Sequence, residues 1–145
     1  MNTDIDISPY VHYNEKYAVL LCIHCKASIP PATVARHLRE EHKYIPITTR
    51  DAIVEYASTL RLCGIGQVAT PPEEEGPIQY LELIEKGYQC SIENCKLCLS
   101  TKLGIEKHCN KHGWTKGQEN MWEIKPIQRF FDVSRSKYTL CQRGC

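Results

Sequence analysis

Nine cysteines and six histidines stand in a chain of 145 residues. Thiolate sulfur and imidazole nitrogen are the ligands that borderline metal ions prefer. Eight of these residues fall into two quartets, Cys22-x2-Cys25-x11-His37-x4-His42 and Cys90-x4-Cys95-x12-His108-x3-His112. Zn²⁺ takes four such donors in a tetrahedron. A cysteine pair on a tight hairpin supplies one edge, and two histidines three to five residues apart on one helix face supply the other. Each quartet therefore predicts one zinc ion, two for the chain. Cys95 and Cys98 form a rival pair for the second site. That pairing leaves only residues 99–107 for the turn and helix start before His108, so Cys90 with Cys95 is preferred.

An apolar frame accompanies the donors. Tyr88 lies two before Cys90, Leu99 follows Cys95 after three residues, and Ile105 lies three before His108. Leu20, Ile29 and Val34 fill the same roles in the first unit, which has one residue fewer between Cys25 and His37. So few core side chains do not offset the entropy of ordering each unit. Structural zinc contributes an apparent ~10–16 kcal/mol in finger peptides, so both units are expected to be unfolded without it. Of the remaining cysteines, Cys63 reads as a buried apolar residue rather than a ligand and Cys98 as a small residue near the site. Cys109 is expected to face away from the site, and Cys141 and Cys145 read as tail thiols. His12 and His24 read as surface histidines.

The elements that must position these residues follow from local pattern. Tyr17 to Cys22 is rich in β-formers and predicts a strand, as does Tyr88-Gln89-Cys90. Pro31 suits a first helical turn, and Val34, Leu38, His37 and His42 recur at helical spacing, which predicts a helix over 31–43. Thr48 with Asp51 resembles a capping box. Ile53, Tyr56, Ala57 and Leu60 follow at i, i+3, i+4, i+7, and Gly64 suits a C-terminal cap, which predicts an amphipathic helix over 49–62. Residues 64–77 read as a Pro/Glu loop and 78–86 fit either a helical face or an extended stretch. Residues 101–112 predict a helix stopped by Gly113.

The expected architecture is small α+β, with two ββα-like C2H2 zinc units connected by one amphipathic helix, and irregular termini. The expected divisions are a 1–16 N-terminal tail, finger 17–44, connector 45–87, finger 88–116 and a 117–145 C-terminal tail.

The net charge of +1 excludes a uniformly basic nucleic-acid coat, but the charge is uneven. Lys26, Arg36, Arg39 and Lys43 outweigh Glu40 and Glu41 in the first unit, and five lysines outweigh Glu93 and Glu106 in the second. The connector is acidic. Base-reading positions −1, 3 and 6 hold Pro30, Thr33 and Arg36 in the first helix and Thr101, Gly104 and Lys107 in the second. Proline and glycine offer bases no side-chain hydrogen bond, so sequence-specific reading is not expected. Phosphate contact through Arg36, Arg39, Lys102, Lys107 and Lys111 is, with DNA or RNA of low sequence specificity as partner. The rival is a protein-interaction module using apolar surface of 49–62 and the Trp122, Phe130 and Phe131 tail.

Enzymatic chemistry is not expected. A zinc ion closed by four protein ligands has no position for substrate, and neither a Walker loop, a Gly-x-Ser-x-Gly elbow nor a deaminase pattern is present. The acidic start lacks a signal-peptide h-region and no run of 18 apolar residues exists, so reduced thiols, no membrane and an intracellular site, nuclear rather than cytoplasmic, are expected.

The order of motifs resembles the OrsD-type region, named after the orsellinic acid cluster protein D of fungi. Carrying the resemblance are Leu21-Cys22-Ile23-His24-Cys25, Ile29-Pro30-Pro31, Arg36-His37-Leu38, His42, Ile53-Val54, Pro77-Ile78, Gly87-Tyr88-Gln89-Cys90, Lys107-His108-Cys109, His112-Gly113-Trp114 and Gln128-Arg129-Phe130-Phe131. The match runs over roughly residues 15–131. The resemblance implies an N-terminal or internal part of larger proteins, some associated with recombinase- or helicase-like segments. No such segment follows here, which leaves a short family member or a truncated product as the two readings.

Overall fold

The computed structural model describes residues 5–133 and 135–141. The β-forming run Val19–Cys22 is a strand, β2, paired antiparallel on one side with β1 (Val11–Asn14) and on the other with β3 (Ala27–Ser28). Its four residues are all buried. A single 3-10 turn, Pro31–Thr33, then runs into α1 (Val34–Glu41), whose Val34 and Leu38 face the core. The second half repeats this order. Strand β4 (Ile84–Cys90) pairs with β5 (Cys98–Leu99), and α3 (Lys102–Asn110) follows. Thr101 caps α3, its hydroxyl accepting from the Gly104 N–H at 3.1 Å. A Cβ on Gly104 would come within 2.9 Å of that oxygen, so the glycine makes room for the cap.

The chain divides into two compact units. One is built from the chain through Ala69 with Phe130–Ser136, the other from Thr70–Arg129 with Lys137 onward. Together they make a small mixed α+β protein with three α-helices and two sheets among the described residues.

Three features refine the expected pattern. First, the helix between the quartets, α2 (Ile47–Ser58), packs within the first unit: its Ile53 and Ala57 lie with Val11, Leu20, Val34 and Leu38. It starts at Pro46 with no side-chain cap, so Thr48 lies inside the helix. It stops before Gly64 because the hydroxyls of Ser58 and Thr59 donate to the carbonyls of Glu55 and Tyr56 at 2.6 and 2.7 Å, satisfying the last turn. Only part of its apolar stripe is covered, and Ile47 is 66% exposed.

Second, among the described residues both terminal stretches carry strands. Besides β1, the C-terminal stretch supplies β6 (Trp122–Gln128) and β7 (Thr139–Leu140), giving the second sheet the order β5-β4-β6-β7. The β4–β6 register shifts between Ile84 and Gly87. A Cβ on Gly87 would collide with the buried side chain of Ile127, so a residue without one is required there. Gln128 ties residues 78–81 to β6. Its amide donates to the carbonyls of Ile78 and Leu81, each at 3.1 Å, and its oxygen accepts from the Ile78 N–H at 2.8 Å.

Third, the aromatic tail is core. Trp122 packs edge-on against Trp114 at 4.9 Å between ring centroids, and both are buried. Phe130 stacks against Tyr17 at 5.2 Å, and its carbonyl accepts from the Ser28 N–H at 2.7 Å. Phe131 is 1% exposed. Cys145 lies outside the described residues, whereas Cys141 is buried.

Phe131→Ala is expected to destabilise the first unit by about 3–5 kcal/mol in denaturant unfolding, the cost of emptying a large core site. A loss under about 1 kcal/mol, within the usual surface range, would place the ring outside the core.

Candidate metal centres

In the first unit β2 ends at Cys22 and the turn before β3 carries Cys25, while α1 carries His37 and His42 caps its C-terminus. The fold thus sets a hairpin against a helix end. The Cys22 sulfur lies 3.3 Å from Nε2 of His42, and the Cys25 sulfur 3.4 Å from the same atom and 3.8 Å from Nε2 of His37. The two Nε2 atoms are 3.1 Å apart. In the second unit the quartet is Cys90 at the end of β4, Cys95 in the turn, His108 on α3 and His112 just past it. There the Cys95 sulfur is 3.1 Å from Nε2 of His108, which is 3.3 Å from Nε2 of His112. Within each quartet the four donor atoms all lie within 4.8 Å of one another.

These separations suit a metal ion. A tetrahedron with ~2.3 Å metal–sulfur and ~2.0–2.1 Å metal–nitrogen bonds has edges of about 3.3–3.8 Å. Two imidazole nitrogens aimed at each other, with two sulfurs beside them, gain little from hydrogen bonding because one proton at most lies between any pair. A cation at their centre attracts all four lone pairs at once. Both quartets could therefore hold a metal ion.

Electrostatics agrees. Burial holds His37, His42 and His108 below the ordinary imidazole range, so the neutral, ligating form prevails at neutral pH. Desolvation by the atoms packed around its sulfur, and then the charge of Cys22, push the Cys25 thiol up to about 12. Two adjacent thiolates need a compensating cation, which a divalent ion supplies.

Cys98 stays out of the second quartet. It sits in β5, opposite Gln89, and burial, then Glu73, push its thiol up to about 11. Cys109 departs from expectation: rather than facing away from the site, its side chain lies beside Cys90. It is fully buried in one apolar cluster with Cys90, Ile105, Trp114 and Trp122, and its thiol reaches toward the Met121 carbonyl at 3.7 Å. The helix periodicity explains it, since Ile105 and Cys109 are four residues apart and share the core face. Cys63 is only half-buried.

Tyr44, beside the first quartet, went unassigned by sequence reasoning. The hydroxyl of Tyr44 lies 3.3 Å from Nδ1 of His42. With a metal ion on Nε2, Nδ1 would carry the proton and could donate it to the Tyr44 hydroxyl, which would fix the ring's tautomer. His24 packs edge-on against His42 at 5.4 Å and takes no place among the donors. Tyr44 stands two residues past His42, a spacing with no ligand signature, so only the fold exposes its role.

Tyr44→Phe is expected to weaken divalent-metal binding at the first quartet by about 10–100-fold, the usual effect of losing a ligand's supporting hydrogen bond. Titration with Co²⁺, followed by its visible absorption, measures this. The second quartet serves as internal control, and equal affinity in variant and wild type would refute the role.

Residues 10–113 match the model of a family described as orsellinic acid/F9775 biosynthesis cluster protein D. A curated protein of that name from Emericella nidulans is 32% identical over 129 residues, covering 88% of this chain and 25% of that protein. The chain therefore spans about a quarter of that relative's length. No solved structure matches it. The family model covers both cysteine pairs, all four ligand-spaced histidines and the helix between them, and the relative aligns over most of the chain; the chain belongs to the orsellinic acid/F9775 biosynthesis cluster protein D family.

Proposed function

We propose that the two quartets bind Zn²⁺, that each hairpin-plus-helix is a C2H2 unit of ββα type, and that the chain contacts nucleic acid through phosphates. Four donors in a closed set, two sulfur and two nitrogen, are the chemistry of a structural zinc site, with no position left for a substrate. The reading is accordingly of a binding module and not an enzyme.

The observation that carries the nucleic-acid reading is the cationic face of the second unit. Lys102, Lys107, Lys111 and Lys116 are exposed, and none is ion-paired among the described residues. Lys107 and Lys111, four apart, share one face of the α3 end; Lys102, five residues from Lys107, stands about 140° around the helix. Contacts from two sides of a helix suit a backbone-tracking mode better than a row of base-reading side chains. Gly104, packed under the Thr101 cap, has no side chain to offer a base. On α1, Arg36 and Arg39 are exposed but share their helix with Glu40 and Glu41, so the second unit carries the larger share of phosphate contact. A nuclear site follows from this reading.

Native mass spectrometry is expected to find two zinc ions per chain, and chelation to abolish cooperative unfolding; a chain that melts cooperatively without metal would refute the zinc reading. Four phosphate contacts predict roughly a hundredfold loss of DNA or RNA affinity between ~50 and ~200 mM salt. Replacing Lys107 and Lys111 with Ala should lower the salt slope by about 2. Absence of binding at low salt, with zinc content intact, would remove the nucleic-acid reading while leaving the metal reading standing.

A further inference from the structure

A third cysteine sulfur meets the pair that belongs to the second quartet. Cys109 is not among the four donors, yet its thiol makes a hydrogen-bonding contact with the Cys90 sulfur. The surrounding structure holds it there. The Met121 carbonyl accepts from the Ser91 N–H at 2.8 Å and lies 3.7 Å from the Cys109 sulfur, so one acceptor ties α3 to the residue next to Cys90. Ile105 and the Trp114–Trp122 pair pack in the same cluster. Cys90 and Cys109 are both 0% exposed, whereas Cys95, whose sulfur is a donor beside that of Cys90, is only half-buried. The sulfurs thus run from a reachable one, Cys95, through Cys90 to an enclosed one, Cys109. The first unit has no thiol in the matching place: the residue after its first ligand-spaced histidine is Leu38, buried in the core.

We propose that Cys90 and Cys109 form a disulfide when the second unit meets a hydroperoxide, so that a covalent bond joins the end of β4 to α3. The oxidant enters at Cys95, the sulfur it can reach. The Cys95 thiolate attacks hydrogen peroxide: an S–O bond forms, the O–O bond breaks, and the hydroxide that leaves takes up a proton to become water. Sulfur gives up two electrons and the peroxide gains them. The Cys90 thiol then attacks the Cys95 sulfur; an S–S bond forms, the S–O bond breaks, and hydroxide leaves with the Cys90 proton as a second water. Finally Cys109 attacks the Cys90 sulfur. The Cys90–Cys109 bond forms, the Cys90–Cys95 bond breaks, and the Cys109 proton passes to Cys95. In sum, two thiols and one peroxide give one disulfide and two waters. The exchange runs inward because a disulfide with an exposed sulfur is the labile one, while an enclosed one resists reduction. A disulfide-bonded Cys90 offers no thiolate, which leaves the quartet three donors. That effect on the ion rests on the zinc reading; the pairing of the sulfurs does not.

Peptide mass mapping tests this on the full zinc-loaded chain, treated with hydrogen peroxide, alkylated and digested. Cys90 joined to Cys109, with Cys95 alkylated, is the expected product, and zinc content by native mass spectrometry should fall as that pair accumulates. Cys109→Ala should hold two ions when reduced and give the Cys90–Cys95 pair instead. On adding glutathione, that variant's pair should be reduced about tenfold faster than the Cys90–Cys109 pair of the wild type, because one of its sulfurs can be reached. Cys90 joined to Cys95 in the wild type, with Cys109 alkylated, would overturn the proposal, and so would equal rates of reduction in the two proteins. The wild-type map decides the matter even where the variant does not fold. Fewer than two ions in the reduced wild type would count against the zinc reading instead.

Discussion

Four lone-pair donors brought to within 4.8 Å of each other, twice in one chain, are the constraint on which everything else rests. Imidazoles kept neutral by burial, with two cysteine sulfurs beside them, leave lone pairs turned toward one centre, a donor set that could hold a cation. Each quartet joins the end of a strand, a turn and the end of a helix, elements too short to hold one another by packing alone. The ion would do for these joints what a larger core does elsewhere.

Around each quartet the chain builds more than a minimal finger. A third strand, β1, flanks the first hairpin, and β6 with β7 extends the second into four strands. The first core gains α2, whose Ile53 is fully buried beside Leu20 and Leu38, and the second gains the Trp114–Trp122 pair. The C-terminal stretch serves both units in turn: Trp122–Gln128 completes the second sheet, and the Phe130–Ser136 segment closes the first core. With Trp122, Phe130 and Phe131 buried, a protein-interaction surface would have to use the other apolar stretch expected for it, residues 49–62, where Tyr56 is 37% exposed.

Surface charge differs between the two helices. On α1 the exposed Arg36 and Arg39 stand beside Glu40 and Glu41, whereas α3 carries Lys102 and Lys107 with Lys111 just past its end. Surface charges of this kind steer association more than they stabilise the fold, so the two units can differ in partner while sharing one way of being held together.

Sequence alone determined the donors, because ligand type and spacing along a strand, turn and helix are local properties. Cys22, Cys25, His37, His42, Cys90, Cys95, His108 and His112 and the helices that carry them were all legible from that pattern. The ends of α2 were not, since hydroxyls of Ser58 and Thr59 closed the last turn ahead of the expected glycine cap. Nor was the burial of Cys109 weighed against its neighbour's ligand role, although its spacing from Ile105 signalled it. What only the tertiary structure decided was long-range pairing. That β6 joins β4, that Phe130 meets Tyr17 and that Gln128 ties down residues 78–81 all depend on which distant segments bury each other's apolar area and satisfy each other's backbone. No local periodicity encodes that choice, because hydrophobic burial has no preferred direction and is settled only when the whole chain has packed.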